Sequence, residues 1–247
     1  MMAFGETRTR IGSRHALIAP DGLVPSTLPG VSGAVANVII SPAMGANLTQ
    51  LLLTFSPGGR AEFAEAGIET CLYVMSGKCT ASAGGTSQVL TEGGYVFVPA
   101  GTPLVLAKPG KGTRVTVFQK RFVPLAGVAA PEVCFGNAAE VEGLPFLGDP
   151  DARLKTLLPD GPAFDMAVNL FTYQPGARLP FVETHIMEHG LIMLTGEGVY
   201  RLEDAWYPVA AGDAIWMAPY CPQWFVAMGK SPASYLYYKD VNRSPMP

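Results

Sequence analysis

The chain has 247 residues, of which 49% are hydrophobic and only 15% charged, with a net charge of −3. That is enough apolar material for a large core, and it lacks the basic surface that nucleic-acid binding requires. No apolar run reaches the ~18 residues of a membrane helix. With 28 glycines and 22 prolines, long bundles, coiled coils and disordered polar chains are excluded as well. In chain order, Met1 to Arg14 is polar and basic and lacks the apolar core of a secretory signal. The four cysteines, Cys71, Cys79, Cys134 and Cys221, form no CxxC pair. Buried thiols in a reducing cytoplasm are therefore expected. Strands are predicted at Leu51–Phe55, Cys71–Met75, Tyr95–Val98 and Arg114–Phe118, each rich in β-branched or aromatic residues and bounded by Gly, Pro or Ser. Asn137 to Glu142 alone invites a short helical turn. Leu191–Leu194 then reads as a strand, and the alternation expected of one places Tyr235, Tyr237 and Lys239 on a shared face. The class is all-β.

An internal repeat organises these strands. Ser56-Pro57-Gly58-Gly59-Arg60 corresponds to Gln174-Pro175-Gly176-Ala177-Arg178, and Gly77 and Gly94 correspond to Gly196 and Gly212. Pro57 to Gly77 spans 20 residues and Pro175 to Gly196 spans 21; Gly77 to Gly94 spans 17 and Gly196 to Gly212 spans 16. Two full strand sets imply two similar β-barrels. The expected division is an N-terminal arm over 1–40, a first barrel over 41–123, an Ala-, Gly- and Pro-rich linker over 124–150, and a second barrel over 151–247. Exposed strand edges and paired barrels also predict a homo-oligomer.

The chain has three histidines, and two of them, His185 and His189, share the stretch Glu183-Thr184-His185-Ile186-Met187-Glu188-His189-Gly190. On a strand, Glu183 and His185 point to one face about 6.6 Å apart, as two ligands of one metal would. His189 would lie roughly 13 Å further along a straight strand, so shared chelation requires a bend after His185. His185-x-x-Glu188-His189 also matches an inverted zinc-protease helix, but Pro180, Gly190 and the strand that follows leave no helix to carry it. Gly229-Lys230-Ser231 and Gly196-x-Gly198 lack the partner glycines of phosphate- and dinucleotide-binding loops.

The arrangement resembles the cupin superfamily, with Glu183 and His185 in the positions of its HxH and His189 seven residues before Gly196. In Met217-Ala218-Pro219-Tyr220-Cys221-Pro222-Gln223, the position of the second motif's histidine falls on Gln223. The resemblance thus implies a bicupin, two double-stranded β-helix barrels, with Glu183, His185, His189 and Gln223 as metal ligands. More narrowly, the chain is similar to the (S)-ureidoglycine aminohydrolases of purine (allantoin) breakdown from about Pro20 to Arg243. The stretches that carry this are Gly67-Ile68-Glu69-Thr70, Glu183 to Gly190, Gly196-x-Gly198-Val199-Tyr200 and Tyr238-Lys239-Asp240-x-Asn242-Arg243. That family implies a manganese site in the C-terminal barrel and hydrolysis of (S)-ureidoglycine to (S)-ureidoglycolate and ammonia. It also implies a small-molecule substrate, with Lys239, Tyr200 and Tyr235 beside it. The first barrel has no histidine, because His15 lies upstream, and only Glu69 stands near its motif; it reads as structural.

A nitrogen and oxygen ligand set excludes thiolate sites, and an amide in place of an imidazole hardens it towards Mn²⁺, ahead of Fe²⁺ or Zn²⁺. An inward Lys239 needs an anionic partner such as a substrate carboxylate; the alternative is a strand-end lysine in water. Tyr200 and Tyr235 are either hydrogen-bond donors to substrate or ordinary barrel aromatics. Glu183 is the candidate base, and Glu188 is either exposed or orients a ligand histidine. Two other functions fit the same residues: a metal-dependent bicupin dioxygenase, and a non-catalytic barrel that binds or stores a small ligand.

Overall fold

A computed structural model describes residues 5–244. The first four residues of the expected arm, and the last three of the expected second barrel, lie outside the described residues. The fold is all-β, with only two single-turn 3₁₀ segments, Pro20–Gly22 and Pro42–Met44, among the described residues. Over Asn137 to Glu142 no helix forms: Asn137 ends the strand Cys134–Asn137 and residues 138–140 make a turn. The Asn137 side-chain oxygen accepts the Ala139 N–H at 2.8 Å, so the side chain takes over a backbone role and the chain turns.

The chain divides into two compact units. One comprises 24–141 with 158–165, and the other 142–157 and 166–247 with 1–23. The segment read as one arm is thus shared between them. Val31–Ile40 pairs with Leu48–Phe63 in the N-terminal unit. His15–Ile18 pairs with Ala214–Met217 in the C-terminal unit, because all four of its residues are buried and need sheet partners for their backbone groups. The Arg8 guanidinium grips the buried Asp213 carboxylate through two bonds of 2.6 and 2.7 Å.

In the N-terminal unit, nine strands make one sheet that curls on itself. Leu48–Phe63 is a single strand of 16 residues, although Ser56 to Arg60 reads as a break in the sequence. It pairs with Arg114–Arg121 before that point and with Leu104–Ala107 after it. Gly59 makes the corner possible, because a Cβ there would lie 2.5 Å from the Gly33 carbonyl oxygen. Leu53, Leu72, Val74, Val96, Val115 and Val117 fill an aliphatic interior.

The C-terminal unit has an eight-stranded sheet and a three-stranded sheet of Glu197–Leu202, Ala205–Ala210 and Gln223–Ala227. The core between them holds aromatics, among them Phe171, Tyr173, Tyr200, Phe225, Tyr235 and Tyr237. All four cysteines are free, and Cys134 is half-buried while the other three are buried. No helix among the described residues is long and apolar enough to cross a membrane.

Within the N-terminal unit, the buried Asp165 accepts Lys120 Nζ at 2.5 Å and the Val123 N–H at 2.8 Å. Asp165→Ala strands the buried ammonium and is expected to cost about 3–5 kcal/mol in chemical denaturation. The double change Lys120→Met, Asp165→Leu is expected to cost less than Asp165→Ala alone.

Candidate metal centre

The segment ahead of His189 is extended but is not a regular strand. It is held by one isolated bridge, in which the Glu183 N–H donates to the Gln223 carbonyl at 2.8 Å and the Gln223 N–H donates to the Glu183 carbonyl at 2.9 Å. The expected strand over Glu183 to His185 shrinks to this single pair, because the chain must leave the sheet to turn. The bend falls at Ile186, and the Tyr220 N–H holds the His185 carbonyl at 2.7 Å. Tyr220 takes a left-handed φ of 60° there, an uncommon conformation for a non-glycine residue and one that is concentrated at functional sites. Beyond the bend, His189 opens the strand His189–Thr195 and pairs with Met217 on one side and Lys239 on the other.

The bend brings the two imidazoles together, with Nε2 of His185 and of His189 3.2 Å apart. The Gln223 amide nitrogen lies 3.1 Å from His185 Nε2, and the Tyr200 hydroxyl donates to the Gln223 amide oxygen at 3.3 Å. Two donors about 2.1 Å from one ion and at right angles to each other stand about 3 Å apart, so the spacing of the three groups suits shared coordination. A half-turn of the Gln223 amide presents its oxygen to the ion and its N–H₂ to Tyr200. Among the described residues, no three His, Cys, Asp or Glu side chains close on one point; the third near donor is an amide. The Glu183 carboxylate lines the same cavity as His189, Gln223, Tyr200, Tyr235 and Tyr237.

Burial, reinforced by the charge of Lys239, lowers the pKa of His185. Burial also pushes His189 well below the usual histidine range, with His185 and Lys239 adding to the effect. Both rings are thus neutral at ordinary pH, the form that binds metal. Burial raises Glu183, and the nearby Lys239 opposes that shift. The residues fit a divalent cation of the N,O-binding kind.

The other sequence candidates separate clearly. Tyr200 and Tyr235 are buried in the aromatic core, and the Tyr235 hydroxyl lies 3.0 Å from that of Tyr173. Lys239 stands across the strand pair from His189, one alternation step beyond Tyr237. Glu188 is buried rather than exposed, and its carboxylate accepts the Trp216 indole N–H at 2.7 Å. His15 is a buried structural residue, with ring nitrogens 2.9 Å from both Glu203 and the Tyr207 hydroxyl. Sequence reading passed over Tyr173 and Asn169 and gave Tyr237 no role. The alternation that singled out Lys239 already placed Tyr237 beside it.

The N-terminal unit repeats the framework without the donors. Thr70 faces Gln119 where the other unit has His189 facing Lys239, and Gln119 donates to the Thr70 hydroxyl at 3.2 Å. Val115 and Val117 line its core where Tyr235 and Tyr237 line the other. Leu104 opens Leu104–Ala107 as Gln223 opens Gln223–Ala227, and Ala81 stands in its strand where Tyr200 stands. Glu69 is fully buried but alternates with the inward Thr70 and pairs across the sheet with Lys120, so it faces away from the barrel interior.

Residues 45–123 match a model described as an EutQ-like cupin domain, and residues 169–238 match one described as a cupin domain. The chain is 38% identical to the (S)-ureidoglycine aminohydrolase of Escherichia coli K12, over 92% of this chain and 88% of that one. It is 36% identical to the (S)-ureidoglycine aminohydrolase of Arabidopsis thaliana, over 98% of this chain and 80% of that one. The crystal structure of the E. coli protein Ylba superposes with a TM-score of 0.87 at 36% identity, covering 96% of each chain. A Bacillus subtilis oxalate decarboxylase variant superposes at 0.72 with 12% identity, over 92% of this chain and 77% of that one, a likeness of fold alone. With two cupin barrels in one chain and relatives of this identity along nearly its whole length, the protein is a bicupin that belongs to the (S)-ureidoglycine aminohydrolase family.

Proposed function

We propose that the protein is a metal-dependent aminohydrolase that converts (S)-ureidoglycine and water to (S)-ureidoglycolate and ammonia in purine (allantoin) degradation. The observation that carries this reading is that His185 Nε2 lies 3.2 Å from His189 Nε2 and 3.1 Å from the Gln223 amide nitrogen, with His189, Gln223 and Glu183 lining one cavity. Glu183, His185, His189 and Gln223 would hold the cation, and the hard oxygen donors favour Mn²⁺ over Fe²⁺ or Zn²⁺. When bound, the cation supplies orientation and Lewis-acid polarisation. In the overall reaction a C–O bond to water forms, the C–N bond to the amine breaks, and the nitrogen leaves as ammonia.

Lys239 pairs with the substrate carboxylate. Its neighbours across the strand pair and its influence on Glu183 and both histidines support a charge that lies close to the reacting group. Tyr200 and Tyr235 hydrogen-bond the ureido group or the carboxylate. Burial raises both phenols far above their usual range, so they act as neutral donors. Glu183 accepts a proton from water through the carboxylate oxygen that is not held by the cation. Four free cysteines support a cytoplasmic enzyme. Exposed Val89 and Trp206, on the edge strands Thr86–Thr91 and Ala205–Ala210, support a homo-oligomer.

Mn²⁺-loaded protein is expected to release ammonia from freshly prepared (S)-ureidoglycine faster than spontaneous decay and to yield a single enantiomer. An unchanged decay rate overturns the reading, and oxygen uptake dependent on Fe²⁺ replaces it with a dioxygenase. His189→Ala is expected to purify without bound metal. Should His185→Ala leave metal binding unaltered in a protein that also purifies without metal, a non-catalytic ligand-binding or storage barrel takes its place. Lys239→Ala is expected to lose about 100-fold in kcat/KM while keeping its metal. Gln223→Ala is expected to lose activity together with about 10-fold or more in metal affinity.

A further inference from the structure

Tyr237 lines the cavity with Glu183, His189 and Gln223. Its ring stacks on that of His189, with centroids 5.4 Å apart and planes inclined by 22°. Asn169, which is 4% exposed, faces Tyr237 directly across the strand pair; burial raises the pKa of the phenol, and hydrogen bonding with the Asn169 side chain opposes that shift. The Asn169 amide oxygen has no partner, so the amide N–H₂ makes that bond. The phenol oxygen is therefore an acceptor from Asn169, and its own O–H remains to donate elsewhere. The inward positions of this strand run Tyr235, Tyr237, Lys239, so Tyr237 stands between the proposed carboxylate anchor and the deeper phenol layer.

We propose that Tyr237 is a substrate-binding residue whose hydroxyl donates to the ureido carbonyl, and that Asn169 is the positioning residue that aims it. Ureidoglycine carries two polar ends, a carboxylate and a ureido group. With the carboxylate on Lys239, the ureido arm extends inward along the strand face that Tyr237 occupies. A neutral amide-like carbonyl entering a cavity walled by Phe171, Leu179 and Leu191 leaves water and needs a donor. Ring stacking on His189 sets the phenol plane relative to the ligand imidazole, so the hydroxyl has a fixed direction. This rests on the aminohydrolase reading for the identity of the substrate. It assigns the selectivity for a ureido substituent to a pair of residues in the C-terminal unit.

The test is calorimetric titration of Mn²⁺-loaded protein with two stable probes. N-carbamoylglycine carries the ureido group and the carboxylate without the leaving amine; glycolate carries the carboxylate without the ureido group. Tyr237→Phe keeps the ring and is expected to weaken N-carbamoylglycine about 5- to 10-fold. Glycolate binding and manganese content are expected to remain at the wild-type level. Asn169→Leu is expected to give the same split with a smaller amplitude, and Asn169→Ala serves if that variant fails to fold. Equal weakening of both probes, no weakening of either, or a wild type that does not bind N-carbamoylglycine overturns the proposal. If the split appears but wild type does not accelerate ureidoglycine hydrolysis, the ureido subsite stands and the reaction falls. If ureidoglycine is hydrolysed and Tyr237→Phe binds both probes like wild type, the reaction stands and the subsite falls.

Discussion

The backbone bridge between Glu183 and Gln223 is the contact on which the candidate centre depends. Two hydrogen bonds of 2.8 and 2.9 Å tie a segment that has left the sheet to the first residue of Gln223–Ala227. Without that tie the segment after Pro180 has no ladder partner to set its direction. With it, the chain reaches His185 pointing into the barrel, turns at Ile186, and re-enters the sheet at His189. Two imidazoles four residues apart thereby face each other at 3.2 Å. The bond from the Tyr220 N–H to the His185 carbonyl holds the far side of the same turn, and a left-handed tyrosine is tolerated there because the surrounding bonds over-determine it.

The two units show how little of a cupin barrel's stability requires its polar interior. The N-terminal unit closes around valine, leucine and alanine at the register positions where the C-terminal unit carries tyrosine and glutamine, and has Thr70 and Gln119 in place of the histidine and lysine. Each buried polar group costs free energy unless it is hydrogen-bonded. The C-terminal interior meets part of that cost through linked pairs, Tyr173 with Tyr235 and Tyr200 with Gln223. A network of this kind adds little to folding relative to an apolar core. Its retention in one unit and replacement in the other is what a division of labour between framework and chemistry would leave.

Much of the fold was legible in the sequence because it depends on local periodicity. Alternation over Tyr235 to Lys239, and the Gly and Pro punctuation of the repeat, report the pleat and the turns directly. The bend between His185 and His189 was legible as a requirement, since two ligands roughly 13 Å apart on a straight strand cannot share an ion. Its means, an isolated bridge and a tyrosine at φ 60°, was not, because both depend on residues more than 30 positions away. Glu188 illustrates the same limit. Its neighbours suggest a ligand-side carboxylate, but it accepts the indole N–H of Trp216, on the strand Ala214–Met217. Glu69 shows it in the other unit, where strand parity, read from the pairing, turns the side chain away from the interior.

By itself the sequence determined the all-β class, the duplication, and the concentration of candidate metal-ligating side chains in the second half. Each follows from spacing along one chain, where period 2 and repeated turn residues carry the information. Only the tertiary structure decided where the N-terminal segment goes: His15–Ile18 joins the C-terminal sheet and Val31–Ile40 the N-terminal one. It also decided that Asn169 faces Tyr237 across a strand pair. Strand pairing is a long-range choice, made by whichever sheet edge satisfies buried backbone groups, and neither the edge nor its register is written in the segment that docks there.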